Sequence, residues 1–206
     1  RKAGLVAKRI FDVAASVLLL VILFPVFVLL AVAIKLDSPG PVFFRQVRVT
    51  QYGRHFRIFK FRTMVQNADK IGAQVTIGSD PRITRVGKFI RKCRLDEICQ
   101  LLNVLTGDMT FVGTRPEVPK YVAAYTPEMW ATLLLPAGVT SEASILAMDD
   151  ELLLAQAEDV DAAYISQVLP EKMRYNLDAV KHFSFRSDIR IMWRTVIAVL
   201  DTAENE

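Results

Sequence analysis

Residues 13–34 read VAASVLLLVILFPVFVLLAVAI, an uncharged apolar run with Pro25 near its middle. At a rise of about 1.5 Å per residue the run forms roughly 33 Å of helix, which is enough to cross a hydrocarbon core of about 30 Å. The length of the run therefore indicates a membrane protein. The proline and the flanking charges bear on how the helix sits in the bilayer.

The proline predicts a kink or a break in this membrane helix. Pro25 lacks a backbone donor, clashes with the preceding turn and disfavours helical geometry at Phe24. Basic residues flank the run on both sides, with Lys8 before it and Lys35 after it. A single span would place one basic cluster outside, whereas a re-entrant helix–break–helix over residues 9–36 keeps both clusters on the cytoplasmic side. We favour the re-entrant form, but a kinked span stays open because membrane helices tolerate proline.

The composition bounds what the remaining residues, 37–206, can be. They are enough for one cytoplasmic domain with one core. The net charge of +4, with cations concentrated between Lys35 and Arg94, suits an anionic bilayer surface and phosphate-bearing ligands equally well. Cys93 and Cys99 have the wrong spacing for a metal pair, so we expect reduced thiols.

Local patterns predict a mainly α fold with a small β-hairpin. The aromatic, β-prone runs Val42–Phe44 and Phe56–Phe61 are separated by a polar stretch that contains a glycine. The stretches Val86–Cys93 and Ile189–Leu200 carry apolar residues at helical spacing with arginines around them. These two predict amphipathic helices, which either lie on the bilayer surface or pack as ordinary surface helices on a core.

Two adjacent carboxylates, Asp96 and Glu97, are the densest candidate for chemistry because cations such as Arg91 surround them. Asp96 lies where one helical pattern stops and another starts, so the plainest interpretation is an N-cap followed by the first helical residue. A helix start also favours bound anions, and Arg91 is a suitable phosphate partner. Arg115 lies in the turn-rich stretch 107–116, a placement typical of an arginine fork that grips a phosphate.

A series of short motifs runs in order from residue 8 to about residue 120. These motifs are KRIFD at 8–12, SPGPVF at 38–43, FKFRTM at 59–64, LDE at 95–97, QLLNVL at 100–105, GDM at 107–109, VG at 112–113 and RP at 115–116. Through them the chain resembles the bacterial sugar transferases, which are small monotopic polyprenyl-phosphate phosphoglycosyltransferases. A weaker match follows at residues 187–190.

The resemblance implies a reaction, a place and a set of partners. A sugar-1-phosphate would pass from a UDP-sugar to polyprenyl (undecaprenyl) phosphate in the first membrane step of a glycoconjugate pathway. The enzyme would be a single sugar-transferase domain over residues 1–206 in the bacterial inner membrane, with its catalytic part on the cytoplasmic face among membrane lipids. A homodimer is possible, and no nucleic acid is expected.

The resemblance also implies roles for individual residues. Asp96 would be the nucleophile of a covalent intermediate and Glu97 would hold Mg²⁺, while Arg115 would bind a phosphate. The other polar residues of the implied site are Lys60, Arg91 and Asp188. Physical chemistry agrees with this assignment, because a carboxylate attacks a diphosphate only when Mg²⁺ and cationic side chains neutralise the phosphate charge.

Three departures separate this chain from the pattern of the relatives. Phe24 stands where many relatives have serine before the membrane proline, so the bend would rest on Pro25 and packing alone. Thr114 replaces the first proline of a common Pro-Arg-Pro motif. The stretch Leu135–Ser141 differs from a frequent Arg-Pro-Gly-Ile-Thr-Gly segment, so the donor sugar does not follow from the resemblance.

Two other functions compete with this interpretation. A non-catalytic, membrane-anchored interaction domain would use its basic helix for lipid headgroups and its acids only as helix caps. A metal-dependent glycosyltransferase would move the sugar without its phosphate, with Met148–Glu151 as an acidic metal motif. The nucleotide product distinguishes all three.

Overall fold

The computed structural model describes residues 2–68, 80–146, 154, 157 and 159–204, without the side chains of Lys2 and of residues 200–204. These residues form a mainly helical fold with a small β-hairpin, as the sequence predicts. The strands are β1 (Phe43–Val49), β2 (His55–Phe61), β3 (Met109–Val112) and β4 (Ala137–Thr140). The α-helices are α1 (Lys2–Asp37), α2 (Arg85–Lys92), α3 (Leu101–Thr106), α4 (Pro119–Val122), α5 (Glu142–Leu146), α6 (Val160–Ala163), α7 (Leu169–Lys181) and α8 (Phe185–Glu204). Tighter or wider turns cover Gln51–Gly53, Leu95–Gln100, Met129–Leu134 and Tyr164–Val168.

The apolar run lies inside α1, a helix of 36 residues that continues through Phe24 and Pro25. The predicted interruption at the proline is therefore not found, and the helix extends beyond the predicted bounds 9–36. A proline removes one backbone donor and leaves the hydrogen bonds on either side of it, so a helix in apolar surroundings can continue past it. By length and composition α1 is able to cross a membrane.

The N-terminal part of α1 is fixed to the rest of the fold by polar side chains. The Arg9 guanidinium donates hydrogen bonds to the carbonyls of Val104, at 2.6 Å, and Leu105, at 2.9 Å, at the end of α3. The buried Asp12 carboxylate accepts from Thr110 Oγ1 at 2.7 Å, on β3. Lysine or arginine side chains that bind the last carbonyls of a helix stabilise its end.

The C-terminal part of α1 packs on the hairpin and α2. Leu30 and Ile34 are buried in one apolar cluster with Phe61 and Ile90. Between the two attached ends, α1 exposes large apolar side chains, among them Leu18, Val21, Phe24 and Leu29. Both ends of α1 thus contact the same folded body, while its middle presents an apolar surface.

The turn after α1 is held by Arg62, the residue that directly follows β2. The buried Arg62 donates to the carbonyls of Ser38, at 2.7 Å, and Pro39, so it satisfies carbonyl groups that follow the helix. Gly40 has φ +122°, and a Cβ there would lie 2.1 Å from Arg62 Nη1. Only glycine fits this turn without moving the arginine.

The predicted hairpin is present, and its second strand carries Lys60. β1 and β2 pair antiparallel from Phe43 opposite Phe61 to Val49 opposite His55. The buried Asn103 of α3 binds the edge of β2: its Oδ1 accepts from the Phe59 amide at 2.8 Å, and its Nδ2 donates to the Arg57 carbonyl at 3.1 Å. This side-chain bridge sets the distance between β2 and the turn Leu95–Gln100.

A second, parallel pair was not predicted. β3 and β4 run side by side from Met109 opposite Ala137 to Val112 opposite Thr140. Just after β3 the backbone approaches β4 so closely that a Cβ on Gly138 would lie 2.1 Å from the Gly113 amide nitrogen. The glycine pair therefore places the segment that leads to Arg115.

The two predicted amphipathic helices are present as α2 and α8. Each exposes part of its apolar stripe: Phe89 of α2 is 58% exposed and Trp193 of α8 is 67% exposed. A helix on the bilayer surface and an ordinary surface helix on a core both leave such residues exposed, so the two interpretations stay open. Contact with the bilayer surface stays a prediction.

Candidate active site

The two carboxylates lie in a tight turn between α2 and α3. Asp96 and Glu97 occupy the first turn of the 3₁₀ segment Leu95–Gln100, and Arg94 precedes it with a left-handed φ of 53°. Arg94, rather than Asp96, is thus the cap residue, and the predicted N-cap role of Asp96 is wrong. The reversal at Arg94 lets α2 end and the next segment start with its carboxylates facing β2.

Glu97 is clamped by two cations. Lys60 Nζ lies 2.6 Å from Glu97 Oε1. The Arg115 fork reaches both oxygens, with Nη2 at 2.5 Å from Oε1 and Nη1 at 3.2 Å from Oε2. Burial alone would raise the pKa of Glu97, but Arg115 and Lys60 outweigh burial and hold this pKa well below its ordinary value. Glu97 is therefore ionised and fixed in orientation.

Asp96 differs from its neighbour in having uncommitted oxygens. Its side chain is only 14% exposed, and Lys60 Nζ lies 3.9 Å from Oδ2. Among the described residues, none donates a hydrogen bond to this carboxylate. Burial raises the pKa of Asp96, and the charge of Lys60 partly offsets that effect. A desolvated carboxylate without donors keeps its lone pairs available for attack on an electrophile.

Asp96 and Arg115 line a cavity of about 710 Å³, which is large enough for a nucleotide-sized ligand. Most charged side chains along its wall are cationic, among them Arg45, Arg48, Lys60, Arg91 and Lys172. A wall of this charge favours a ligand with several negative charges, as phosphates provide. The structure thus brings Asp96, Glu97, Lys60, Arg91 and Arg115 to one place.

Asp188 lies elsewhere. It forms an ion pair with Lys8, and both side chains are buried. Lys8 Nζ also donates to the Val112 carbonyl at 2.8 Å. Asp188 does not line the cavity of Asp96 but borders a second cavity of about 360 Å³. In this structure Asp188 connects α8 to α1 and β3.

The carboxylates fit a magnesium ion only in a site that the ligand completes. The described residues hold no group of three or more histidine, cysteine, aspartate or glutamate side chains close enough to bind a metal. Magnesium commonly takes one or two carboxylates and fills its remaining positions with phosphate oxygens and water. Glu97 Oε1 accepts hydrogen bonds from both Lys60 and Arg115, whereas Oε2 accepts only one, from Arg115. Oε2 is therefore the oxygen that is better placed to bind a metal.

The sequence analysis missed three residues of this region. The Glu117 carboxylate is buried and accepts a hydrogen bond from the Tyr164 hydroxyl at 2.6 Å. Arg48 donates to the Pro116 carbonyl at 3.0 Å. The sequence does carry a signal for Glu117, because it is a charged residue between Pro116 and Val118 that directly follows the Arg115-Pro116 motif. The sequence carries no signal that joins Tyr164 to it.

Comparisons with known proteins agree with these features. A family model described as "Bacterial sugar transferase" matches residues 3–202. An Aeromonas hydrophila protein named UDP-N-acetylgalactosamine-undecaprenyl-phosphate N-acetylgalactosaminephosphotransferase is 38% identical over 197 residues, 94% of this chain and 43% of that protein. A Caulobacter vibrioides protein named UDP-glucose:undecaprenyl-phosphate glucose-1-phosphate transferase is 36% identical over 198 residues, 95% of this chain and 70% of that protein. An Escherichia coli K12 protein of the same name is 34% identical over 193 residues, 92% of this chain and 39% of that protein.

The chain thus spans less than half the length of the Aeromonas and Escherichia proteins and more than two thirds of the Caulobacter protein. The family model covers nearly the whole chain, including the cavity and α1. The resemblance seen in the sequence is confirmed: the chain belongs to the bacterial sugar transferase family.

Proposed function

We propose that this chain transfers a sugar-1-phosphate from a UDP-sugar to undecaprenyl phosphate in glycoconjugate synthesis. One observation carries the proposal: Lys60 and Arg115 clamp Glu97, while the adjacent Asp96 carboxylate keeps its oxygens uncommitted in a cationic cavity. The names of the relatives support the donor and the acceptor, since the Caulobacter protein is named for UDP-glucose and undecaprenyl phosphate.

In the first half of the proposed reaction, Asp96 attacks the sugar-bearing phosphorus of the donor. A bond forms between a carboxylate oxygen and phosphorus, and the bond from phosphorus to the bridging oxygen breaks. The electron pair leaves with UMP. Arg115 and the other cations of the cavity offset the negative charge that otherwise repels a carboxylate from a diphosphate. Lys60, 3.9 Å from Asp96, favours the ionised form that attacks.

In the second half, a phosphate oxygen of the lipid acceptor attacks the same phosphorus. The bond between phosphorus and Asp96 breaks, the carboxylate is regenerated, and undecaprenyl diphosphate sugar is released. Dividing the transfer in this way means that a water-soluble donor and a lipid acceptor need not be bound together. One cavity therefore serves both substrates in turn.

Mg²⁺ belongs to this proposal as the cofactor. Glu97 would hold it through Oε2, with the donor phosphates completing the coordination. When bound, the ion would draw negative charge from the diphosphate and so ease both the attack and the departure of UMP. Glu97 is suited to this task because Lys60 and Arg115 keep it ionised and oriented.

The membrane arrangement is also a proposal. We infer that α1 bends at Pro25 without being interrupted, so that its apolar middle enters the bacterial inner membrane while both of its ends stay on the cytoplasmic face. Two observations support this arrangement. Both ends of α1 contact the rest of the fold, through Arg9 and Asp12 near one end and through Leu30 and Ile34 near the other. The apolar middle of the helix is exposed. A helix that crossed the bilayer would carry one end away from that body. Such a placement brings the cavity near the headgroup depth of the acceptor phosphate.

The nucleotide product tests the function. The protein is incubated with Mg²⁺, undecaprenyl phosphate and a panel of UDP-sugars that begins with UDP-glucose and UDP-N-acetylgalactosamine. We expect UMP with at least one donor. UDP instead would indicate plain glycosyl transfer, for which the suggested motif Met148–Glu151 lies outside the described residues. No nucleotide with any donor would favour a non-catalytic interaction domain.

A further inference from the structure

Arg115 is held by Glu97 at its guanidinium group and by its backbone at the other end of the side chain. Its side chain is 43% exposed, so surrounding atoms do not fix it by packing. Its hydrogen bonds to described residues go to Glu97 alone. A phosphate-binding arginine adds less to the binding free energy if its guanidinium group is mobile, because ordering the side chain on binding costs free energy. The anchors of the flanking backbone therefore matter for the proposed function.

Upstream of Arg115 the backbone is fixed by the parallel strand pair. The Gly113 amide donates to the Thr140 carbonyl at 3.0 Å, and the Gly138 amide donates to the Thr114 carbonyl at 2.9 Å. These two bonds continue the β3–β4 ladder past the end of β3. The chain is thus held up to the residue before Arg115.

Downstream the backbone is fixed by β1. Arg48 Nη1 donates to the Pro116 carbonyl at 3.0 Å, and the Val49 amide donates to the Glu117 carbonyl, also at 3.0 Å. Arg48 is itself oriented by Gln46, whose Oε1 accepts from Arg48 Nη2 at 2.7 Å. Two consecutive carbonyls after Arg115 are therefore anchored on the first strand of the hairpin.

The Glu117 side chain adds a third anchor, from a distant part of the sequence. It is 7% exposed, and a carboxylate at such a depth requires a donor or an opposite charge. The Tyr164 hydroxyl donates to Glu117 Oε1 at 2.6 Å. Burial and the charge of Glu117 raise the pKa of Tyr164, so the phenol keeps its proton and remains a donor. Tyr164 begins a π-helical turn, a local distortion that frequently occurs at functional sites.

We propose that Glu117 and Tyr164 are positioning residues: the Tyr164–Glu117 hydrogen bond holds the backbone after Arg115 so that its fork meets the diphosphate of the UDP-sugar. This inference rests on the proposed function. Neither residue reacts with the substrate. Their effect passes through the segment 115–117, which Arg48 and β1 hold from the other side.

The chain offers a matched control in Tyr121. The rings of Tyr121 and Tyr164 stack with their centroids 4.5 Å apart, yet their hydroxyls have different partners. The Tyr121 hydroxyl donates to Asp161 Oδ1 at 2.5 Å rather than to Glu117. Tyr121→Phe and Tyr164→Phe each remove one hydrogen-bonded hydroxyl from the same ring pair. Their comparison separates the loss of the Glu117 anchor from the loss of any buried hydroxyl.

The test combines hydrogen–deuterium exchange with donor kinetics on the full chain in detergent or nanodiscs. In Tyr164→Phe we expect faster exchange of the amides of residues 113–118 and a donor KM about tenfold higher, which corresponds to about 1.4 kcal/mol. The acceptor KM should stay as in the wild type. Tyr121→Phe should change neither the exchange nor the donor KM. In an Arg115→Ala background, Tyr164→Phe should add little further loss, because its effect passes through Arg115.

Three results would overturn the proposal. The first is exchange and donor KM in Tyr164→Phe that equal those of Tyr121→Phe. The second is faster exchange without a change in donor KM, and the third is a full additional loss in the Arg115→Ala background. Failure of the proposed function has a different signature: the wild type would release no UMP from any donor, whatever the exchange of residues 113–118.

Discussion

At the scale of single residues, the site depends on two adjacent carboxylates in different surroundings. Glu97 has its oxygens occupied by Lys60 and Arg115, whereas Asp96 has none occupied by a described donor. The same side-chain chemistry thus gives one fixed anion and one available nucleophile. The environments separate the two pKa values in opposite directions, upward for Asp96 and downward for Glu97.

Asp96→Asn removes the proposed nucleophile and keeps the size of the side chain. We expect UMP release to fall by at least about a thousandfold. Association with membranes should not change, because α1 does not involve this residue. Asp108→Asn is a suitable control, since Asp108 pairs with Arg54 at the surface. Substantial turnover by Asp96→Asn would contradict a covalent role for Asp96.

Glu97→Gln keeps a hydrogen-bond acceptor but removes the charge that Lys60 and Arg115 neutralise. We expect a large loss of kcat, roughly a hundredfold, of which added Mg²⁺ recovers only part. The measurement is the dependence of the UMP release rate on Mg²⁺ concentration. An unchanged magnesium dependence would remove Glu97 from the metal site.

Most residues of the candidate site were predictable from the sequence, but contacts between residues far apart along the chain were not. Asp96, Glu97 and Arg91 share one short motif, the turn-rich stretch 107–116 indicated Arg115, and the resemblance to the family supplied Lys60. Tyr164 could not be linked to Glu117, since a hydroxyl–carboxylate bond between residues 47 positions apart leaves no periodic trace. Asp188 is placed with Lys8 by the structure, a pairing that the sequence did not suggest.

At the scale of elements, the turn that joins α1 to the hairpin combines a glycine with a buried arginine. Gly40→Ala would place a Cβ 2.1 Å from Arg62 Nη1 at a φ of +122°. We expect it to lower the free energy of unfolding by about 1–3 kcal/mol. Gly4→Ala is the matched control, because its Cβ would be 3.8 Å from the nearest side-chain atom and α-helices favour alanine. Equal thermal unfolding of the two variants would contradict the role of this turn.

The membrane helix provides a second prediction at this scale. We expect Pro25→Ala to leave the N-terminus on the cytoplasmic side, because Arg9 and Asp12 hold that end of α1 to α3 and β3. The measurement is labelling of a cysteine placed at Gly4 with a membrane-impermeant maleimide, in a chain without Cys93 and Cys99. Labelling from outside would show that the proline alone keeps α1 from spanning.

Elements with strong local patterns were predicted well from the sequence. The hairpin, α2 and α8 agree with the aromatic runs and the helical stripes. The β3–β4 pair was missed because each strand has four residues and alternation over four positions is a weak signal. The structure does not confirm the predicted kink or break at Pro25: the helix continues through the proline, since one missing hydrogen bond does not end a long apolar helix.

At the scale of the whole molecule, a buried ion pair joins the first and last helices. Lys8 and Asp188 are separated by 180 positions along the chain, and both are buried. We expect Asp188→Asn to lower the free energy of unfolding by about 3–5 kcal/mol, because it leaves Lys8 buried without its counter-ion. The double variant Lys8→Met, Asp188→Leu should recover much of that loss.

Thermal unfolding together with donor kinetics separates the two roles considered for Asp188. A stability loss that the double variant reverses, with a donor KM close to that of the wild type, indicates a structural pair. Unchanged stability with a large loss of kcat would instead place Asp188 in the catalytic site.

The overall organisation followed from the sequence only in outline. Length, charge and the apolar run predicted one domain attached to a membrane helix. How the two ends of α1 contact the domain was not predictable, because those contacts join residues about 100 positions apart, such as Asp12 and Thr110. Those contacts are also what supports placing the catalytic cavity at the membrane surface.

The proposed covalent step is tested most directly by trapping the enzyme with donor alone. Purified protein is mixed with Mg²⁺ and its UDP-sugar in the absence of undecaprenyl phosphate, then analysed by intact mass and by peptide mapping. We predict a burst of UMP no larger than one per enzyme and a sugar-phosphate adduct on the peptide that contains Asp96, both absent in Asp96→Asn. UMP release that requires the lipid acceptor, with no adduct on that peptide, would contradict the covalent mechanism.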